Sequence, residues 1–394
     1  MLKSSFINVL IKIIALIGMF IFQSYLAKLI SVDDYAIFSK FIVYGNYAAL
    51  FLSFGFSSSI IYFSENKRDF FLNYNSISFF YLFVTSLLIF LLWIFSSDLI
   101  FVVYFAVVFN MFNVTIAYYQ SQLKMIWFGA LGAGNSLYLL TLLLFIERFD
   151  FVKDNLLIFY GFYFLFIIVI FQFISLSFSI GKVGFKALLS RLGTNIRYGS
   201  NFVPVLILGQ FIYVLDFILI DFLLGENQVA YYFVSMMVSK LLFSAADTIG
   251  TVIYPYLIKY SNGKGKEHVL NTISTLGLIF FAFNIFALVG FYIVGEQVIQ
   301  YFFGEEYLSA YEPALILLCG TQGMIIYKLL SRKLASENKW RGIYLSLITA
   351  VFINLALSFY LISNLGINGA ALASSVAYWV CGFMILFYNR LTEK

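Results

Sequence analysis

Residues 198–259, YGSNFVPVLILGQFIYVLDFILIDFLLGENQVAYYFVSMMVSKLLFSAADTIGTVIYPYLIK, hold two long apolar segments joined by the turn Gly225-Glu226-Asn227-Gln228. Gln210, Asp216 and Asp221 interrupt the first segment, and Lys240 and Asp247 the second. Each segment is long enough to cross a bilayer, where an ionisable side chain is costly and marks a functional position by default. The rest of the chain reads as the scaffold that carries this hairpin and an N-terminal counterpart.

The whole chain has the same character. It is 62% hydrophobic and 11% charged, with a mean hydropathy of +0.95, whereas a soluble domain carries about a quarter charged residues. The apolar runs are mostly long and do not alternate, which argues for helices over a barrel and for an all-α integral membrane protein. Spans are expected near 6–29, 40–63, 76–97, 99–121, 126–147, 156–180, 199–224, 229–257, 272–298, 313–331, 341–363 and 367–389. Lys12 splits the first apolar run and no cleavage site follows it, so that run reads as a span rather than a signal peptide.

With both termini on one side, the outside holds only Lys28, Lys40, Arg148 and Lys153 of the 24 basic residues, and Lys12 and Lys240 lie within spans. The remainder fall on the other face, which the positive-inside rule makes cytoplasmic. The net charge of +5 therefore belongs to cytoplasmic loops and implies no nucleic acid. Cys319 and Cys381 lie in apolar segments and the single histidine in a polar loop, so neither a disulfide framework nor a metal site is expected. Gly129, Gly132 and Gly134 sit inside an apolar run and read as helix-packing glycines, not a nucleotide loop.

The basic connection 181–197 places Val183, Phe185, Leu188, Leu189, Leu192 and Ile196 at near-helical spacing, as in an interfacial amphipathic helix. It falls at the middle of the chain, giving an N-terminal six-helix lobe (1–180), this linker (181–197) and a C-terminal six-helix lobe (198–394). Residues 29–38 align without gaps with 223–232, a turn repeated at an offset of 194. Same-sense repeats of this kind are a known transporter plan, with the substrate between the halves.

Four stretches carry a family resemblance. They are Leu26 to Ser39 (LAKLISVDDYAIFS), Asp216 to Tyr231, Phe303-Gly304-Glu305-Glu306-Tyr307 through Pro313, and Gly366-Ile367-Asn368-Gly369-Ala370-Ala371-Leu372-Ala373. Together with twelve spans they resemble the Wzx-type O-antigen and polysaccharide flippases of the MOP superfamily, relatives of the MATE exporters and the lipid II flippase. Ser31 departs from the glycine usual in that turn. The resemblance implies a two-lobed, alternating-access carrier in a bacterial inner membrane with both termini cytoplasmic. It implies an undecaprenyl-pyrophosphate-linked oligosaccharide as cargo, an O-antigen or capsule unit moved from the cytoplasmic to the periplasmic leaflet. Membrane lipids and other polysaccharide-assembly membrane proteins are the partners it suggests, and no bond chemistry is implied.

Such a headgroup needs a wet, polar, cationic cavity. Lys240, about 15 Å into its helix, is the foremost candidate for a pyrophosphate contact, and a structural ion pair with Asp216 is the competing reading. Asp247 follows Lys240 by two turns on the same face, continued by Ser244 and Thr251. Coupling to H+ or Na+ would run through Asp216, Asp247 or Asp221, although Asp221 lies near enough the outer end to reach the headgroups. Lys12, Asn46, Gln23 and Gln210 complete the candidate cavity, with Asn46 the repeat counterpart of Lys240. Lys12 can equally snorkel and the amides can equally bond between helices. Pro204 and Pro255, near the cytoplasmic ends of the charged helices, are hinge candidates, a tolerated bend being the alternative. No cofactor and no metal are expected.

The main alternative is a MATE-like cation-coupled exporter of small molecules, which suits the three aspartates but not Lys12 and Lys240. A membrane glycosyl polymerase or ligase would require a large outer loop with basic and acidic groups. The longest outer segment expected here, Gly295 to Glu312, has no Lys, Arg or His.

Overall fold

The computed structural model describes residues 2–63, 67–95, 98–121, 139–149, 185–200, 203–241, 266–337 and 339–393, and among these there is helix and no strand. The helices are α1 (Leu2–Leu29), α2 (Val32–Phe51), α3 (Phe56–Tyr62), α4 (Lys67–Phe95), α5 (Asp98–Ser121), α6 (139–148), α7 (Phe185–Gly199), α8 (Val203–Leu224) and α9 (226–241). They continue with α10 (Lys266–Phe303), α11 (Tyr311–Ser336) and α12 (Trp340–Glu393), and a 3-10 turn, Glu305–Ala310, joins α10 to α11. Seven described helices are long and apolar enough to span a membrane, or eight if the bent pair α2–α3 is one span. The expected all-α membrane architecture is what the chain adopts.

Two compact units are present. One comprises residues 1–4 and 41–207, the other 5–40 and 208–394. The unit boundaries thus fall inside α2, after Lys40, and inside α8, after Ile207. The middle connection is a packed part of the first unit, since Asn195 on α7 donates from Nδ2 to Asn73 Oδ1 on α4 at 3.2 Å. Tyr198 stacks on Tyr62 with ring centroids 4.1 Å apart. At Gly55 and Gly199 the backbones touch, so that a Cβ on Gly55 would lie 2.0 Å from the Gly199 carbonyl oxygen.

In the first unit the α2–α3 span is broken by a 51° bend, with Phe54 (φ 47°) and Gly55 (φ 64°) in the left-handed region. A break inside a membrane leaves carbonyls that hydrocarbon cannot satisfy. Neighbouring helices supply the donors. Tyr81 Oη reaches the carbonyls of Leu52 and Ser53 at 3.1 and 3.2 Å, and Asn110 Nδ2 donates to the Ala49 carbonyl.

In the second unit α11 and α12 pack through small residues. Gly320 and Gly323 face Ser375, Tyr378 and Trp379 so closely that any Cβ would clash, while Ala370, Ala373, Ser374 and Ala377 are fully buried. Close backbone approach through small residues is how helices associate where lipid offers no hydrophobic drive. The expected break between the last two spans falls at Gly366 (φ 60°, ψ −140°), which interrupts α12. Several helices outrun the spans read from hydropathy. The expected outer segment 295–312 is mostly helical, because α10 runs to Phe303 and α11 starts at Tyr311.

Candidate functional site

Asp216 lies on α8 and is 1% exposed. An isolated carboxylate in such a place is strongly disfavoured, and here four side chains are ordered around it. Tyr232 on α9 donates from its hydroxyl to Asp216 Oδ2 at 2.7 Å, and Ser374, past the break in α12, donates to the same oxygen. Ser374 in turn accepts from Asn354 Nδ2 at 2.9 Å, and Asn354 Oδ1 accepts from Ser358 at 3.1 Å. Every proton in this chain points toward the carboxylate, so the network stabilises a negative charge. Hydrogen bonds to a charged group contribute about 1.5–3 kcal/mol each. The other oxygen, Oδ1, is buried and accepts no hydrogen bond. It is an open acceptor in a cluster of hydroxyl and amide groups, the donor set that suits a proton or a small hard cation.

Lys240, on α9 two turns beyond Tyr232, does not meet Asp216. Its Nζ sits 5.5 Å from the centroid of the Tyr213 ring, and Tyr213 contacts Tyr378 with centroids 5.6 Å apart. A cation over an aromatic face is stabilised without being neutralised. Lys328 on α11 is close enough to act on it electrostatically. The ion pair weighed against a ligand role for Lys240 is therefore not formed: the carboxylate is held by hydroxyls and the ammonium by an aromatic ring.

Asp221 also has a partner that the sequence did not reveal. Lys40 Nζ lies 3.1 Å from its Oδ1 and 2.6 Å from Glu226 Oε1. Gln23 is buried on α1 and accepts a hydrogen bond from Tyr35 at 3.3 Å, which places it in contact between α1 and α2. Asn46 on α2 and Gln210 on α8 are exposed, each within an otherwise apolar helix. An amide in such a helix offsets its desolvation cost by facing water or by a hydrogen bond. Lys12 is half-buried on α1, and Pro204 is exposed at the start of the described part of α8. Asp247 and Pro255 lie outside the described residues, as do Ser244 and Thr251.

Tyr232, Ser374, Asn354 and Ser358 were missed as site residues. Ser374, Asn354 and Ser358 are small or neutral polar residues inside apolar runs, which carry no charge to mark them in the sequence.

No family model matches the chain. Over 185 residues it is 24% identical to the probable low-salt glycan biosynthesis flippase Agl15 of Haloferax volcanii, a match that covers 47% of this chain and 39% of that protein. The match thus spans about two fifths of the length of that relative. Among solved structures, the inward closed conformation of the lipid II flippase MurJ has a TM-score of 0.71 at 16% identity, covering 99% of this chain and 88% of the other. The Vibrio cholerae MATE transporter VcmN has a TM-score of 0.67 at 13% identity, covering 100% and 97%. A multidrug resistance MATE family transporter of the MOP superfamily, in an outward-facing conformation, scores 0.64 at 11% identity, covering 99% and 95%.

The chain therefore has the fold of the MOP-superfamily transporters, a polytopic all-helical membrane architecture. Within that class its sequence likeness is to a protein described as a glycan biosynthesis flippase, in agreement with the resemblance carried by the four stretches quoted above. Each of the proteins named above is described as a flippase or a transporter.

Proposed function

We propose that this chain is a flippase for undecaprenyl-pyrophosphate-linked oligosaccharide, an O-antigen or capsule repeat unit. It would carry its cargo from the cytoplasmic to the periplasmic leaflet of a bacterial inner membrane by alternating access. The observation that carries this reading is Lys240, a cation deep in a helix that is poised on Tyr213 rather than neutralised by Asp216. A diphosphate cannot shed its water into hydrocarbon without a cationic replacement, and Lys240 with Lys328 nearby supplies one. Exposed Asn46 and Gln210 suit a cargo rich in hydroxyls. The sequence likeness to a glycan flippase supports the same class of cargo.

Ion coupling belongs to this proposal. Asp216, with one carboxylate oxygen held by Tyr232 and Ser374 and the other open, is the group that would bind and release H+ or Na+ during the cycle. The exporter reading finds less support, because Asp221, one of the three aspartates that suit a cationic drug, is already paired with Lys40.

Lipid extracts from cells lacking the gene, with the sugar-assembly enzymes intact, test the proposal. The expected result is accumulation of undecaprenyl-pyrophosphate oligosaccharide with loss of surface polysaccharide, reversed by the wild-type gene and not by Lys240→Ala. Normal surface polysaccharide without accumulation, in a strain with no second flippase, would overturn it.

A further inference from the structure

Lys28 and Lys40 run against the charge bias of the chain, on the face that the basic-residue distribution assigns to the outside. The structure gives each a specific partner. Lys28, at the end of α1, donates to the backbone carbonyl of Tyr301 near the end of α10, and its Nζ lies 5.6 Å from the Tyr301 ring centroid. Lys40, on α2, bridges Asp221 at the end of α8 and Glu226 at the start of α9. One lysine on each arm of the α1–α2 hairpin thus holds it to α8, α9 and α10 of the same unit. Beneath them lies an aromatic pad. Phe20 meets Phe302 and Phe303 edge-on, and Tyr35 meets Phe233 and Tyr307 with centroids 5.9 and 5.6 Å apart. Tyr35 also covers Met237, its hydroxyl 3.7 Å from the sulfur.

Lys40 is the last residue of α2 that belongs to the second unit, and from Phe41 the same helix belongs to the first. The clamp therefore lies within the second unit, at the last residue of α2 that belongs to it. Its ions are partly wet, with side-chain exposures of 19% for Lys40, 25% for Asp221 and 60% for Glu226. Pairs of that kind are weak and reversible, typically about 0–1 kcal/mol. This suits a contact that opens and closes better than one that fixes a fold.

We propose that Lys40, Asp221 and Glu226, with Lys28 on Tyr301, form an ionic latch within the second unit whose release lifts the α1–α2 hairpin from α8, α9 and α10 and uncovers Met237. Only the place of this opening in a transport cycle rests on the carrier reading, so the latch is tested without cargo. The protein carrying Met237→Cys, with Cys319→Ser and Cys381→Ala, is placed in nanodiscs, where both faces are reachable, and its reaction with a water-soluble maleimide is timed. Adding Lys40→Gln should speed labelling about five-fold, the factor given by about 1 kcal/mol of lost pairing. Exchanging the charges, Lys40→Glu with Asp221→Lys and Glu226→Lys, should return the slow rate, and Lys186→Gln on α7 should leave it unchanged. Salt gives a measurement that needs no latch variant. Between about 0.01 M and about 1 M the screening length falls from about 30 to about 3 Å, so labelling should accelerate with Lys40 present and stay flat in Lys40→Gln. Equal rates with and without Lys40→Gln, failure of the charge exchange to slow labelling, or no response to salt would overturn the latch. None of these outcomes bears on whether the chain moves a glycan.

Discussion

Gly320→Ala is expected to damage stability and coupling together, through contacts that can be counted in ångströms. A Cβ on Gly320 would stand 2.6 Å from Ser375 Cα, 2.7 Å from its Oγ and 2.8 Å from its Cβ. Carbon atoms rest about 3.5–4.0 Å apart, so α11 and α12 must separate by about 1 Å. One bond crosses this contact, from Ser375 to the Ile316 carbonyl at 2.7 Å, and the neighbouring Ser374 donates to Asp216 on α8. A displacement of about 1 Å of α12 from α11 takes the Ser375 bond past about 3.5 Å, where little of a hydrogen bond remains, and moves Ser374 with it. Overpacking of this kind costs about 1–3 kcal/mol. At about 2–4 °C per kcal/mol for a domain of roughly 150–250 residues, the detergent-solubilised protein should melt about 2–12 °C lower by intrinsic fluorescence. Gly209→Ala on α8 is the control, since nothing lies within 4 Å of its added Cβ and a helix-interior alanine gains about 0.5–1 kcal/mol over glycine. Gly320→Ala melting with the wild type would refute the close α11–α12 contact and the placement of Ser374 that depends on it.

Further outcomes follow from other parts of the molecule. Tyr81→Phe should destabilise the protein by about 1–3 kcal/mol in a denaturation series, because it strips the donor shared by the Leu52 and Ser53 carbonyls at the α2–α3 break. Gly366→Ala forces a side chain into φ 60°, ψ −140° and should cost about 1–3 kcal/mol by the same measurement. Ser374→Ala removes one of two donors to Asp216, and ion-driven transport in liposomes should fall about ten-fold or more, the equivalent of about 1.5 kcal/mol. Lys240→Arg keeps a cation in place and should preserve surface polysaccharide where Lys240→Ala loses it.

Fold class was open to reading from the sequence because a membrane constrains composition so strongly. A chain with this apolar content and these run lengths has few structures available. The ends of helices were less legible. Hydropathy stops at the first charges, whereas Lys, Arg and Glu are good helix formers, so α4 begins at Lys67 and α10 runs from Lys266 to Phe303. Gly366 was readable as a break, since a glycine between two apolar runs marks the one residue type that tolerates its φ.

Asp216 and Lys240 stood out as charges in apolar runs, but their partners could not be found by spacing. Tyr232 is sixteen residues from Asp216 and Ser374 is 158 away, and both types are common in membrane helices for duller reasons. The Lys40–Asp221 pair joins residues 181 apart. By itself the sequence shows only a basic residue on the outer face and an aspartate near the outer end of its span. Tertiary packing decides such pairings, and only the folded chain displays it.

The most direct test is made on the purified protein in liposomes loaded with an undecaprenyl-pyrophosphate oligosaccharide. The fraction of cargo open to a sugar-oxidising or glycan-cleaving reagent outside is followed while an H+ or Na+ gradient is imposed. Gradient-driven movement that is lost in Lys240→Ala, and uncoupled from the gradient in Asp216→Asn, is the predicted result. Cargo that crosses no faster than in protein-free liposomes, under either gradient and with correctly folded protein, would contradict the account.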